Sequence, residues 1–500
     1  MSCFAHTGRF MMLLAAWWAA SQAARADEAV VVDAGEVVGL IPAIHGVNNG
    51  PLVRLEWEPV CPLDQAGDYT ERFLEAHIPQ SRTHGEGPFD INEIWRPFPR
   101  FAGFDPDDPA LYDWTITDER MAATAGVTDV LVRLGNGSGV CDPNLALPPD
   151  DFGVWARVAR NILRHYLRGW ADGFYYDNIR YVEIWNEFYE PNYWLGTPTE
   201  AAQLYAAAYA EIKDEFGDQI MVAGSMSRGP KSYEYFTYLR DHGVGVDFIA
   251  DHMYPERPRE FIEQVYLGSG AHPELTNWEA YLPLVGYPAD TPIMFTEWNR
   301  TLYRWGNDVA MASFAAATLI TLADLHPANS SHNVLMGHYF SARKQMYNAD
   351  GSFRHPGQVF YTYGALMYGR TPLRLAASGT RHDPEGYGSD FLVLAGRSRD
   401  SRLVQVMLAH YGNSASDPWP SGPGPAFNLA LTIDNLPWGS GGGYSWQRWS
   451  HDRNLRGLYL SESGQGSGQQ FVYTGQMSER SNCVFIIKGV FRPAAPPAPR

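Results

Sequence analysis

At 500 residues the chain is too long for one compact core, which favours two domains. Its 45% hydrophobic and 14% aromatic content excludes a disordered protein. The excess of 56 acidic over 38 basic residues gives a net charge of −18 and disfavours nucleic acids, anionic lipids and polyanionic polysaccharides as partners. A neutral substrate suits this charge better.

Residues 1–26 have the pattern of a secretory signal peptide. Arg9 precedes an apolar run over residues 10–20, and residues 24–26 (Ala-Arg-Ala) are typical of a cleavage site. The apolar run is shorter than the ~20 residues that a membrane-spanning helix needs. We therefore predict export to the periplasm or beyond, with no membrane association after cleavage and a net charge of −20 for the mature chain.

Between residues 41 and 372, strand-like and helix-like segments alternate eight times. Runs of β-branched and apolar residues indicate buried strands, and segments with apolar residues at helical spacing separate them. This alternation predicts a parallel sheet, and eight units predict a (β/α)8 TIM barrel, an α/β fold. The predicted strands are 44–48, 78–83, 129–135, 180–187, 220–225, 246–254, 292–299 and 333–341.

The pattern changes after the barrel. Residues 373–492 contain short alternating strands separated by Gly, Pro, Ser and Asp, which predicts an antiparallel β-sandwich. Residues 27–40 are strand-like but precede the barrel, and we expect them to join the sandwich. Residues 493–500 are predicted to form a disordered tail.

Three cysteines remain after signal cleavage, namely Cys61, Cys141 and Cys483. An oxidising compartment permits one disulfide, and Cys61 and Cys141 are the candidate pair because both fall in loops on the same face of the predicted barrel. Three unpaired cysteines are the alternative. The Cys and His spacings do not indicate zinc, so we expect no metal and no cofactor.

Two predicted barrel strands end in a carboxylate beside Trp and Asn. Residues 185–187 are Trp-Asn-Glu, and residues 296–299 are Thr-Glu-Trp-Asn. Barrel enzymes place their chemistry at the carboxyl ends of the strands. Glu187 and Glu297 therefore indicate the paired carboxylates that cleave glycosidic bonds. Unrelated salt bridges at two strand ends are the alternative.

These motifs resemble the signatures of clan A glycoside hydrolases, and most closely of glycoside hydrolase family 39. Residues 82–84 (Arg-Thr-His) resemble the family's strand-two Arg-x-His, and residues 247–254 resemble its strand-six segment. The resemblance implies a retaining mechanism in which Glu187 is the general acid/base and Glu297 the nucleophile. It also implies that the two carboxyl groups lie roughly 5–5.5 Å apart.

Seven further residues are predicted to bind the substrate or support the catalytic pair. Asn186 is expected to donate a hydrogen bond to the sugar 2-hydroxyl, and the resemblance implies that Tyr254 bonds the nucleophile. Arg82 is expected either to neutralise the carboxylates or to pair with one structural acid. Glu183 is expected to be a buried structural acid rather than a third catalyst. The full set is Asn186, His84, His252, Tyr254, Trp298, His45 and Arg82, with Trp95, Trp194 and Trp305 as further candidates for stacking on sugar.

The family includes β-xylosidases, α-L-iduronidases and bacterial exopolysaccharide glycosidases. Its iduronidase-like members carry a basic residue where this chain has Tyr254, so the resemblance favours a neutral, β-linked sugar such as xylose. Residues 188–192 are longer than the Glu-Pro-Asn usual after the acid/base, which leaves exo and endo cleavage open. An exopolysaccharide endoglycosidase and a catalytically idle glycan-binding barrel are the alternatives, and no oligomeric state is predicted.

Overall fold

The computed structural model describes residues 28–54, 66–84, 90–140, 142–226, 230–300, 308–383, 389–412, 422–453 and 457–490. The predictions for the signal peptide, the C-terminal tail, Cys61, Cys141 and Trp305 lie outside these residues. The chain divides into two compact units. The first unit comprises Ala43–Gly306 and Thr321–Ala365, and the second comprises Met1–Pro42, Asn307–Ile320 and Leu366–Arg500.

Eight strands of the first unit form a parallel sheet. In chain order the first eleven strands are β1 (Glu28–Leu40), β2 (His45–Asn48), β3 (Leu52–Val53), β4 (Gly67–Asp68), β5 (Gln80–Arg82), β6 (Asp129–Leu134), β7 (Ile179–Ile184), β8 (Met221–Gly224), β9 (Ile249–Met253), β10 (Ile293–Trp298) and β11 (Val334–Tyr339). The sheet order is β8-β7-β6-β5-β2-β11-β10-β9. A parallel bridge between Ser225 and Ala250 joins its two ends. The sheet is therefore closed, which confirms the predicted (β/α)8 barrel.

Helices separate the barrel strands. They are α1 (Thr70–Glu75), α2 (Ile91–Ile94), α3 (Thr115–Ala125), α4 (Phe152–Arg168), α5 (Pro198–Phe216), α6 (Pro230–Asp241), α7 (Arg259–Ile262), α8 (Trp278–Val285), α9 (Val309–Asp324) and α10 (His355–Tyr361). None of those in the described ranges is long and apolar enough to cross a membrane.

Local sequence explains where the two longest barrel helices, α4 and α5, begin and end. The Asp151 side chain accepts a hydrogen bond from an amide of the first turn of α4, and the helix ends at Gly169, whose φ is 68°. Thr197 and Glu200 form a reciprocal capping box at the start of α5. These caps fix the ends of the two helices that flank β7, the strand that precedes Glu187.

The second unit contains a nine-stranded sheet. Its remaining strands are β12 (Leu373–Ser378), β13 (Ser389–Arg397), β14 (Leu403–Gly412), β15 (Ala426–Asp434), β16 (Gly443–His451), β17 (Tyr459–Ser467), β18 (Phe471–Ser478) and β19 (Ser481–Val490). The order is β17-β16-β19-β14-β13-β12-β1-β15-β18. All neighbours are antiparallel except β1 and β15, which run parallel.

The two ends of this sheet pack on each other. Trp446 of β16 contacts Phe471 of β18, with ring centroids 5.5 Å apart, although the two strands lie near opposite ends of the order. The sheet therefore folds over one apolar core, to which both β1 and β14 contribute buried side chains such as Val32 and Leu408. One continuous sheet thus forms the two layers of the predicted sandwich.

Candidate active site

Glu187 follows β7 in a strained turn. Trp185 has a φ of 68° and Glu187 a φ of 47°, conformations that residues other than glycine rarely adopt. Ser225, the residue after β8, holds this turn with two hydrogen bonds. Its Oγ accepts from the Glu187 amide at 3.0 Å, and its carbonyl oxygen accepts from the Phe188 amide at 3.1 Å. Backbone strain of this kind is typical of functional sites.

Glu297 lies in β10 with its side chain buried inside the barrel. Arg82 Nη1 donates to its Oε1 at 2.8 Å, and His84 Nε2 lies 2.7 Å from the same oxygen. Tyr254 donates to Oε2 at 2.5 Å. Burial alone raises the pKa of Glu297, but the charge of His252, the contact with His84 and the charge of Arg82 hold it well below the ordinary value of 4.5. Glu297 is therefore ionised at neutral pH.

Glu187 is the more exposed carboxylate of the pair. Its side chain is 14% exposed, against 5% for Glu297. Two donors converge on Glu187 Oε1, with His252 Nδ1 at 2.8 Å and Tyr189 Oη at 3.0 Å. A carboxylate oxygen of Glu187, a carboxylate oxygen of Glu297 and a ring nitrogen of His252 all lie within 4.8 Å of one another. The two carboxylates predicted from separate motifs therefore meet at one point.

His252 is a cation between the two carboxylates. Burial lowers the pKa of His252, but the charge of Glu297 and the hydrogen bonds to Glu183 and Glu187 raise it to about 10. Its Nδ1 also lies 3.6 Å from Glu297 Oε2. A metal ion held by the same two glutamates would have to displace the proton on Nδ1. The donor set thus suits an ion-pair network better than a metal centre.

Arg82 connects the acids beneath the site. Its guanidinium is fully buried and pairs with Glu183 through Nε. Nη1 donates to Asn48 Oδ1 at 2.9 Å as well as to Glu297, and Nη2 donates to Asn186 Oδ1 at 2.9 Å. Arg82 therefore contacts both the carboxylate of Glu297 and a second buried acid, Glu183. Burial raises the pKa of Glu183, but Arg82 and His252 lower it to about 2, so Glu183 is a structural anion.

Asn186 retains one free donor. Its Oδ1 is occupied by Arg82, while its Nδ2 is buried without a hydrogen-bond partner among the described residues. A buried amide donor left without a partner costs free energy unless a ligand or water accepts from it. Its position beside Glu187 makes it a candidate donor to a ligand hydroxyl.

Trp298 does not join this cluster. Glu297 points into the barrel, and the side chain of the next strand residue must point outward. Trp298 is accordingly fully buried outside the sheet, where its ring packs on Phe261, Tyr339 and Phe360. The prediction that it stacks on sugar is corrected for this reason.

His45 is also remote from the pair. It is the first residue of β2, so it lies at the end of the strand opposite to the carboxyl end. Its Nε2 bonds the carbonyl oxygens of Ala76 at 3.3 Å and His77 at 2.9 Å. Burial lowers the pKa of His45 to about 4. We therefore correct its predicted role from sugar binding to packing. Trp95 and Trp194 are likewise buried.

Two aromatic residues of the site were not predicted. Tyr189 donates to Glu187 and lies in residues 188–192, the stretch that the sequence showed to be longer than usual, and that length was the only signal for it. Phe340 follows β11, and its ring centroid lies 5.2 Å from that of His84 and 6.3 Å from that of Tyr254. It is half-buried and offers an aromatic surface beside two residues that contact Glu297. Its position at the end of the last predicted barrel strand was the available signal.

No protein-family model and no curated protein matches the sequence. Solved structures match almost the whole chain. A glucosidase from Croceicoccus marinus is 21% identical with a TM-score of 0.70, and the match covers 93% of this chain and 99% of that one. A monomeric β-xylosidase from Caulobacter crescentus CB15 is 14% identical with a TM-score of 0.62, covering 92% and 99%. A family 39 glycoside hydrolase from Xanthomonas axonopodis pv. citri is 14% identical with a TM-score of 0.62, covering 93% and 98%.

These matches show that the chain has a glycoside hydrolase fold. Within that class, the chain has the fold of glycoside hydrolase family 39, as the sequence motifs predicted.

Proposed function

We propose that the protein is a retaining glycoside hydrolase with Glu187 as general acid/base and Glu297 as nucleophile. The observation that carries this proposal is the approach of their carboxylate oxygens to within 4.8 Å. Retaining enzymes hold the two carboxyl groups roughly 5–5.5 Å apart, whereas inverting enzymes separate them by about 6.5–9.5 Å to admit a water molecule. The short separation favours direct attack by one carboxylate on the sugar.

The surroundings of the two acids favour different roles. The nucleophile must be ionised before the substrate arrives. Glu297 meets this need because Arg82 and His252 hold its pKa well below 4.5. The acid/base must exchange a proton with the leaving group and with water, and Glu187 is the carboxylate nearer to solvent. This asymmetry supports the assignment of Glu187 as acid/base.

The reaction then proceeds in two displacements. Glu297 attacks the anomeric carbon while Glu187 protonates the leaving oxygen, and a covalent glycosyl-enzyme forms. Glu187 next removes a proton from water, which attacks the same carbon and frees Glu297. Asn186 Nδ2 is available to bond a sugar hydroxyl throughout, because its other amide atom is held by Arg82.

We further propose a neutral, β-linked sugar as substrate, with β-xylosides first. Tyr254 supplies a phenol at the position where a carboxylated sugar needs a cation, and this phenol already donates to Glu297. The similar structures include a glucosidase, a β-xylosidase and a bacterial orthologue of α-L-iduronidase, so the choice of a neutral sugar depends on Tyr254. The long turn that contains Tyr189 keeps an endoglycosidase acting on a neutral exopolysaccharide as the alternative.

Stereochemistry tests the central proposal. Proton NMR of an aryl β-xyloside digest should show the β-anomer of xylose as the first product, before mutarotation. An α-anomer as first product would overturn the retaining mechanism. If no aryl glycoside is cleaved, digestion of a neutral exopolysaccharide decides between the endoglycosidase and an idle barrel.

A further inference from the structure

Ser225, which follows β8, and Lys231, at the start of α6, together hold the turn that carries Glu187. Three consecutive residues of the turn have a main-chain group bonded to one of the two. The amides of Glu187 and Phe188 donate to Ser225. Lys231 Nζ donates to the carbonyl oxygen of Tyr189 at 2.6 Å. The position of the turn therefore depends on the neighbouring strand end and helix as well as on β7.

Lys231 is the anchor of the Tyr189 main chain. Within the described ranges, no other hydrogen bond reaches that main chain. The later part of the same loop has an anchor of its own, since the Trp185 indole donates to the carbonyl oxygen of Tyr193 at 2.8 Å. Loss of the Lys231 amine would therefore release Tyr189 while the end of the loop stays in place.

The position of Lys231 does not favour the stability of its helix. α6 begins at Pro230, so Lys231 lies in the first turn, where the positive end of the helix dipole repels a cation. Acidic residues are preferred there, and this first turn contains none. The contact with Tyr189, rather than helix stability, therefore explains why a cation stands at this position.

Tyr189 transmits this restraint to Glu187. Burial and the charge of Glu187 raise the pKa of Tyr189 well above its ordinary value, so the phenol keeps its proton and remains a donor. It donates to Glu187 Oε1 at 3.0 Å, and His252 Nδ1 donates to the same oxygen at 2.8 Å. Because both donors hold Oε1, Oε2 is the oxygen left to carry a proton toward a leaving group.

We propose that Lys231 is a positioning residue for Glu187, on which it acts through the main chain and the phenol of Tyr189. The inference rests on the proposed function, because it assigns Lys231 to the proton transfer by Glu187. A general acid must hold its proton within hydrogen-bond reach of the leaving oxygen. Lys231 supplies the fixed point outside the barrel that keeps the Glu187 carboxylate in that orientation.

Three variants test this role. Lys231→Met keeps a long side chain but removes the donor, and Lys231→Arg keeps a cationic donor. Arg240→Met is the matched control, because Arg240 is an exposed cation of the same helix that pairs with Asp241.

The kinetic test compares a poor with an activated leaving group, because only the poor one needs strong assistance from the acid. Lys231→Met should lower kcat/KM about tenfold for the poor leaving group, a part of the roughly 10²–10⁴-fold that general acid–base catalysis contributes. It should change kcat/KM less than about twofold for the activated aryl glycoside. Lys231→Arg should recover most of the loss, and Arg240→Met should change neither value. Equal losses for both leaving groups would overturn the proposal, because they indicate a structural effect or a direct contact with the sugar.

Amide hydrogen exchange tests the restraint without any substrate. A peptide that covers residues 186–194 should exchange faster in Lys231→Met than in the parent, and at the parent rate in Arg240→Met. Unchanged exchange in Lys231→Met would overturn the proposal whether or not the protein hydrolyses glycosides. Faster exchange in a protein that hydrolyses no glycoside would support the restraint on Glu187 while the proposed function fails, so the two failures are distinguishable.

Discussion

His252 donates from Nδ1 to Oε1 of Glu187 over 2.8 Å, so the carboxylate proposed as acid/base is in contact with a buried cation. The same nitrogen lies 3.6 Å from Glu297. One imidazolium therefore senses both carboxylates, and any change in the charge of one acid reaches the other through it. In the proposed mechanism, this arrangement couples the two displacement steps.

Replacement of His252 by Gln should change how stability depends on pH. The pKa of His252 is about 6.5 in the unfolded chain and is raised to about 10 in the folded protein. Its charge therefore stabilises the fold fully below pH 6.5, and this contribution is lost as the pH rises through 10. The difference in unfolding midpoint between parent and His252→Gln should therefore be largest near pH 6 and shrink toward pH 10. The exposed His242, replaced by Gln, is the control and should show little difference at any pH. A constant difference for His252→Gln would contradict the raised pKa.

Alanine at either catalytic position should separate the two roles. Glu297→Ala should abolish turnover of every glycoside, because no covalent intermediate can form. Glu187→Ala should lower kcat by about 10²–10⁴-fold on poor leaving groups but spare activated aryl glycosides in the first step. Azide should partly rescue Glu187→Ala. Kinetics on two leaving groups measure this, and equal losses for both variants on both substrates would reject the assignment.

Tyr189 should support the proposed role of Glu187. Its hydroxyl donates to Glu187 Oε1 at 3.0 Å, so Tyr189→Phe should lower kcat by about two- to tenfold, the loss of a hydrogen bond of about 0.5–1.5 kcal/mol. Tyr175→Phe changes an exposed tyrosine and should leave kcat unchanged. Steady-state kinetics on one aryl glycoside compare the two variants, and an unchanged kcat for Tyr189→Phe would show that the phenol does not assist Glu187.

Arg82 should be indispensable to the fold of the barrel interior. Arg82→Met removes the buried guanidinium that pairs with both Glu183 and Glu297, which should cost about 3–5 kcal/mol of unfolding free energy. Arg54→Met breaks the exposed ion pair with Glu119 and should cost about 0–1 kcal/mol. Chemical denaturation of both variants makes the comparison. A loss for Arg82→Met no greater than for Arg54→Met would show that the buried network contributes little.

Substrate choice should follow charge. We expect hydrolysis of an aryl β-xyloside, weaker or comparable hydrolysis of the β-glucoside, and none of an aryl α-L-iduronide. The acidic surface repels polyanions and Tyr254 leaves no cation for a uronic acid. Initial rates at low and high salt measure this. A faster reaction with the iduronide would show that the charge argument is wrong.

The two glutamates were predictable because each ends a short apolar run, and the carboxyl ends of parallel strands share one edge. The predictions that Trp298 and His45 bind sugar were wrong for geometric reasons that could have been inferred from the sequence. Strand alternation turns Trp298 outward once Glu297 points inward. His45 begins β2 rather than ending it, so it lies at the other end of the barrel.

Other features of the site had no local signal. The contact between Tyr189 and Glu187 depends on positive φ angles at Trp185 and Glu187, which the residue types do not favour. The single continuous sheet of the second unit depends on pairings between distant segments, whereas a pattern of short strands indicates only their number and approximate bounds. The boundaries of the barrel strands, by contrast, fell within a few residues of the predicted ones.

The parallel pairing of β1 with β15 has a consequence for the order of events during synthesis. β1 pairs with β12 and β15, and Glu28 lies opposite Leu429, so the first described strand is made long before either of its two neighbours exists. Domains generally fold as units from the N-terminus as the chain emerges, yet this sheet must wait for its latest strands. Until then both edges of β1 are unpaired, which is a hazard for association with other chains. The nascent protein therefore has a long interval in which a chaperone that binds extended segments has a defined target.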